Sequence, residues 1–123
     1  MSHNDLTIAA ACADLLFAAR IRDAAAAAGR PVIMFTARDD VVGRVRAERP
    51  ALVIIDLDAR WLDGAAVIAA LKREGGTAAI PVIAFAAHVR AEVLAAARGA
   101  GADRVLARSG FVRQLPGLLS GTG

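Results

Sequence analysis

Five short apolar runs punctuate the chain: LTIAAA over 6–11, PVIMF over 31–35, ALVIID over 51–56, IPVIAF over 80–85 and DRVLA over 103–107. The central three are apolar without alternation, as strands buried on both faces of a parallel sheet are. Amphipathic or Ala-rich stretches separate them and predict helices over 13–28, 38–48, 64–74, 89–98 and 110–119. Glycine or proline closes most of these helices, at Gly29-Arg30-Pro31, Pro50, Gly75-Gly76 and Gly99. Five strand–helix units in sequence predict an α/β fold, a doubly wound five-stranded parallel sheet with helices on both faces. Such sheets place their sites at the carboxyl ends of the strands, which brings Cys12-Ala13, Asp56, Ala86-Ala87-His88 and Arg108 to one edge.

Within LVIIDLDARWLDG, Leu52 to Gly64, the apolar run stops at Asp56 and a second Asp-Gly pair follows at Asp63-Gly64. An aspartate released from the end of a buried strand is suited to act as a nucleophile, a metal ligand or a phosphate acceptor.

Length bounds the organisation. At 123 residues the chain is expected to be one domain, with its core over about 6–119 and a frayed SGTG tail at 120–123. Ala supplies much of the 57% hydrophobic content, and no stretch reaches the roughly 18 uninterrupted apolar residues of a spanning helix. Ile8–Ala19 is interrupted by Asp14 and preceded by an acidic rather than a basic segment, so it is not a secretory signal. A cytoplasmic, membrane-free protein is expected, and the lone Cys12 fits a reducing compartment. The net charge of +3 rests almost wholly on arginine, with Lys72 the only lysine. These arginines are scattered rather than gathered into a stripe with a reading element, which argues against nucleic-acid binding.

The order of elements, together with RPALVIIDLDARWLDGAAVIAALK, IPVIAFAA and GAGADRVLARSGF, resembles the receiver domain of bacterial two-component response regulators. That family has a flavodoxin-like, CheY-like fold and is phosphorylated on an aspartate by a histidine kinase. The resemblance runs from about Leu6 to Leu119. It places the phospho-acceptor at Asp56, an Asp-Gly pair seven and eight residues later at Asp63 and Gly64, and an AGAD step into the fifth strand at Ala100–Asp103.

Several positions that carry the family's chemistry depart from its pattern. The acidic pair that holds magnesium falls on Cys12 and Ala13, neither of which suits a hard, oxygen-seeking cation. Asp14 stands one residue away, at a helix start that should turn its side chain elsewhere. The hydroxyl residue that holds the phosphoryl oxygen falls on Ala86, the lysine on Arg108, the following proline on Ser109 and the aromatic switch on Val105. A missing metal or cation in phosphoryl transfer commonly costs several orders of magnitude in rate. The resemblance therefore implies a pseudo-receiver, not an enzyme, that works by binding proteins such as a histidine kinase or an output protein, and that needs no cofactor. It also implies a possible homodimer through 89–119. A phospho-accepting receiver using Asp56 and Mg2+ is the alternative; whether the chain stands alone or is a piece of a longer regulator is open.

Asp56 needs a counter-charge, and Arg108 is expected to supply it through a bidentate ion pair; two solvated neighbouring charges are the other reading. Asp58 makes a DLD sequence similar to the nucleophile strand of aspartate-based phosphohydrolases, but no Gly-Thr continuation or later Lys with an acidic metal pair supports that class. Asp58 is read as a loop residue beside the site that could lend an oxygen, with Asp56, to a weak cation. Trp61 either packs over the Asp56 pocket or anchors a partner, and packing is favoured. His88, with only His3 as a second histidine, is read as a loop residue, and Cys12 as a small buried thiol.

Overall fold

The computed structural model describes residues 6–87 and 90–120. Its elements alternate strictly: β1 Ile8–Ala11, α1 Leu15–Ala27, β2 Val32–Phe35, α2 Val41–Glu48, β3 Leu52–Asp56, α3 Gly64–Arg73, β4 Val82–Ala86, α4 Ala91–Ala100, β5 Arg104–Ala107 and α5 Arg108–Leu119. The strands form one parallel sheet in the order β2-β1-β3-β4-β5, the expected doubly wound architecture. Every residue of β1, β3 and β4 is buried, whereas the edge strands β2 and β5 are not. Period-2 alternation divides the inward side chains between two cores. Ile8, Ala10, Leu52, Ile54, Ile83 and Phe85 face α1 and α5. Ala9, Ala11, Val53, Ile55, Val82 and Ala84 face the helices α2, α3 and α4.

The first core centres on three phenylalanines. Phe85 stacks on Phe111 with ring centroids 4.6 Å apart, and Phe17 lies tilted 4.7 Å from Phe85. This cluster ties α1 and α5 to the carboxyl half of β4, directly beneath the sheet edge where the strand-end residues gather.

The helix ends explain the punctuation and correct part of it. Asp63 is the N-cap of α3, its Oδ1 accepting from the Ala66 N–H at 3.1 Å. A Cβ on Gly64 would lie 2.9 Å from Leu57 Cδ2, so the Asp-Gly pair caps the helix and lets it approach the β3 loop. α2 starts at Val41 rather than 38, because Asp40 caps it and residues 36–39 form a turn in which Asp39 accepts from the Thr36 N–H. Gly99 does not end α4: the helix continues to Ala100, and Gly101, at φ +108°, takes the left-handed position. α5 starts at Arg108, two residues earlier than expected, so Arg108 opens a helix instead of closing a strand.

Candidate functional site

Parallel register brings the carboxyl ends of β1, β3 and β4 level, with Ala11 beside Ile55 and Asp56 beside Phe85. Asp56 is 3% exposed. Burial of a carboxylate is tolerable only when its oxygens are hydrogen-bonded, and two backbone N–H groups give each oxygen one partner. Ala13 donates to Oδ2 at 3.2 Å, and Asp58 donates to Oδ1 at 2.9 Å. Asp58 in turn accepts from the Ala87 N–H through its own carboxylate, so the loop after β3 is latched to the end of β4.

Arg108 does not pair with Asp56. Its Nη2 donates to Asp14 Oδ2 at 2.9 Å, and its guanidinium lies 4.5 Å from the Phe17 ring centroid. Because Arg108 starts α5, its stem runs across Phe17 toward the first turn of α1. Asp14 waits there as the N-cap, with Oδ1 accepting from Leu16 N–H at 2.9 Å and Phe17 N–H at 3.1 Å. The Phe17 N–H, and then Arg108, hold the Asp14 carboxyl below the usual carboxylate range. The Nε of Arg108 is buried without a partner among the described residues. Asp14, Leu16, Phe17, Arg20, Arg108, Ser109 and Val112 line an open groove of about 470 Å³ between α1 and α5.

Cys12 is half-buried at the same edge and donates its thiol weakly to the Asp14 carbonyl. Burial, assisted by the nearby Asp56 and Asp14 charges, pushes this thiol up to about 11. Ala86 is fully buried and offers no hydroxyl, while Val105 packs partly buried against the second core. Trp61 packs, partly buried, against that core too. His3, His88 and the tail past Ser120 lie outside the described residues.

The donor set does not fit the magnesium ion that the receiver resemblance implies. Cys12 stays protonated at neutral pH, Ala13 has no side-chain donor, and both oxygens of Asp14 are engaged. Among the described residues, no group of three or more His, Cys, Asp or Glu side chains is placed to hold a metal ion.

Two structural residues escaped sequence reasoning. Lys72 Nζ donates to Ala78 O at 3.1 Å, Ile80 O at 2.9 Å and Asp103 Oδ2 at 2.8 Å, and Asp103 Oδ2 also accepts from the Val82 N–H at 2.7 Å. Thr77 is buried and donates its hydroxyl to Leu71 O at 2.6 Å. A single lysine in an arginine-rich chain was the available signal for the first. Nothing in the pattern marked the second. Several arginines are committed locally, Arg44 to Asp39 and Arg46 to Glu74 among them, rather than forming a basic stripe. No helix among the described residues is long and apolar enough to cross a membrane.

No protein-family model and no curated protein matches this sequence. Solved structures do match, many of them response regulators or their receiver domains. A response regulator from Hahella chejuensis superimposes with a TM-score of 0.81 at 16% identity, over 93% of this chain and 92% of that one. A receiver domain from Rhodospirillum rubrum gives 0.72 at 24% identity, over 93% and 91%. An orphan response regulator of H. pylori gives 0.75 at 14% identity, over 95% and 92%. The chain has the CheY-like, flavodoxin-like fold of response regulator receiver domains.

Proposed function

We propose that this protein is a pseudo-receiver, a signalling module that works by binding other proteins and in which Asp56 is not an efficient phosphate acceptor. One observation carries the reading: the groups that a phosphorylated site would use are already engaged with one another. The Asp14 carboxylate is engaged by the start of α1 and by Arg108, and each Asp56 oxygen accepts a bond, from the Ala13 and Asp58 N–H groups. The Asp58 carboxylate occupies the Ala87 N–H at the end of β4. A phosphoryl group arriving on Asp56 would have to displace this second carboxylate or face it, and like charges in so shielded a place oppose each other. With the metal ligands replaced, nothing offsets that repulsion.

The partners suited to this reading are proteins of phosphorelay signalling, a histidine kinase or an output protein, as the receiver fold implies. The competing reading, a working receiver, draws on the retained position of Asp56 at the end of β3. Intact-mass analysis after incubation with acetyl phosphate and magnesium decides between them. The expected result is no phosphoryl gain that depends on Asp56; a gain of one phosphoryl group, lost in Asp56→Asn, would establish the competing reading.

A further inference from the structure

Among the described residues, the exposed large hydrophobic side chains are Leu6, Leu15 and Leu16, at 54%, 84% and 72%. Two of them open α1. Leu6 stands at the other end of that helix, where its carbonyl accepts from Arg30 Nε at 2.9 Å. Between these ends the outer surface of α1 carries Ala19, Arg20, Arg22, Asp23, Ala26 and Ala27, all exposed. Leu16, Arg20, Asp23 and Ala27 follow the i, i+4, i+7, i+11 spacing of a single helical stripe. No ion pair within the described chain engages Arg20 or Asp23.

We infer that α1 is a self-association surface whose occupant is the α1 of a second copy, packed antiparallel about a two-fold axis. The stripe reads apolar, positive, negative, apolar, so its own reverse complements it. An antiparallel copy sets Arg20 against the partner's Asp23, Asp23 against the partner's Arg20, and Leu15 and Leu16 toward the partner's Ala27 and Leu6. Alanines at 19 and 26 let the helices approach closely. The face expected from the family resemblance, 89–119, is less suited: on α4 the exposed side chains are alanines with Glu92 and Arg98, and Val93 and Leu94 are partly covered. A contact built on one helix falls at the low end of interface sizes, so the dimer is weak and concentration-dependent.

Sedimentation equilibrium of the whole chain, from about 10 μM to about 1 mM, a range set by so small an interface, tests this. The expected result is a monomer–dimer equilibrium that Leu15→Ser with Leu16→Ser removes. Arg20→Asp or Asp23→Arg alone should weaken it about tenfold, and the two together should restore it to within about threefold, because the swapped charges again meet their opposites. The charge variants lie on an exposed surface, so they remain informative if the serine variant misfolds, which circular dichroism would report. A monomer throughout, a dimer that the double swap fails to restore, or one removed instead by Arg98→Glu on α4 would each overturn the inference.

Discussion

Replacing Lys72 with Met probes the clamp that holds α3, the 78–80 loop and the starts of β4 and β5 together. Methionine keeps most of the aliphatic stem and removes the ammonium. Lys72 is 17% exposed along its side chain and makes three contacts of 3.1 Å or less, two to carbonyls and one to Asp103. Each carbonyl contact contributes about 1 kcal/mol net. Asp103 is 48% exposed, so solvent screens its pairing and the ion pair adds only about 0.5–1 kcal/mol. The expected loss is about 2.5–3 kcal/mol, or roughly 7–12 °C in melting temperature for a chain of this size. Urea unfolding of the wild type, Lys72→Met, Asp103→Asn and the double variant measures the total and the pair's coupling, expected at about 0.5–1 kcal/mol. A loss under about 1 kcal/mol for Lys72→Met would refute the clamp as a stabilising junction.

Gly101→Ala should destabilise by about 1–2 kcal/mol, since φ is +108° and the new Cβ would lie 3.0 Å from Lys72 Cγ; an unchanged urea midpoint would contradict this. Burial alone would raise the Asp103 carboxyl, but Lys72 and the Val82 N–H hold it below its usual 3.8. A carboxyl lowered by folding stabilises above the unfolded value and loses that contribution as pH falls through the folded one, so the stability gap between wild type and Asp103→Asn should close below about pH 4. A gap as wide at pH 3 as at pH 7 would count against the assignment. Thiolate absorbance should place the Cys12 transition near 11, and a midpoint at or below the ordinary 9.0 would mean that the thiol is not desolvated as described.

The sheet was legible because its central strands are buried on both faces and so read as unbroken apolar runs; β3 occurs at 52–56 within the expected 51–56. Asp63-Gly64 was legible for the same local reason, a cap followed by a close approach. The end of α4 was not, since Gly99 and Gly101 look alike in sequence, and the choice depends on which of them tertiary packing places against Lys72. The partner of Arg108 was misread because register fixes where an arginine begins but not where its long stem goes. That was decided by the Phe17 ring and by the start of α1 at Leu15, two residues later than expected, which leaves Asp14 as the N-cap beside the guanidinium. Lys72 meets three oxygens with three donors, a task for a compact ammonium that a planar guanidinium fits poorly; only its rarity hinted at it.

Among the described residues, the strand-end edge gathers Asp14, Asp56 and Asp58 beside Arg108, a concentration of carboxylates that ordinarily calls for a counter-charge. Backbone N–H groups take that role instead. The start of α1 and Arg108 satisfy Asp14, Ala13 and Asp58 satisfy Asp56, and Ala87 satisfies Asp58. Hydrogen bonds to an ionised carboxylate are about twice as strong as neutral ones, so each link resists being opened. A magnesium ion would have to break the Asp14–Arg108 pair and leave a cation above Phe17 without its partner. On the proposed reading, the site is therefore held in one state by the same bonds that let its carboxylates be buried, and the signal must be carried by what binds the surface.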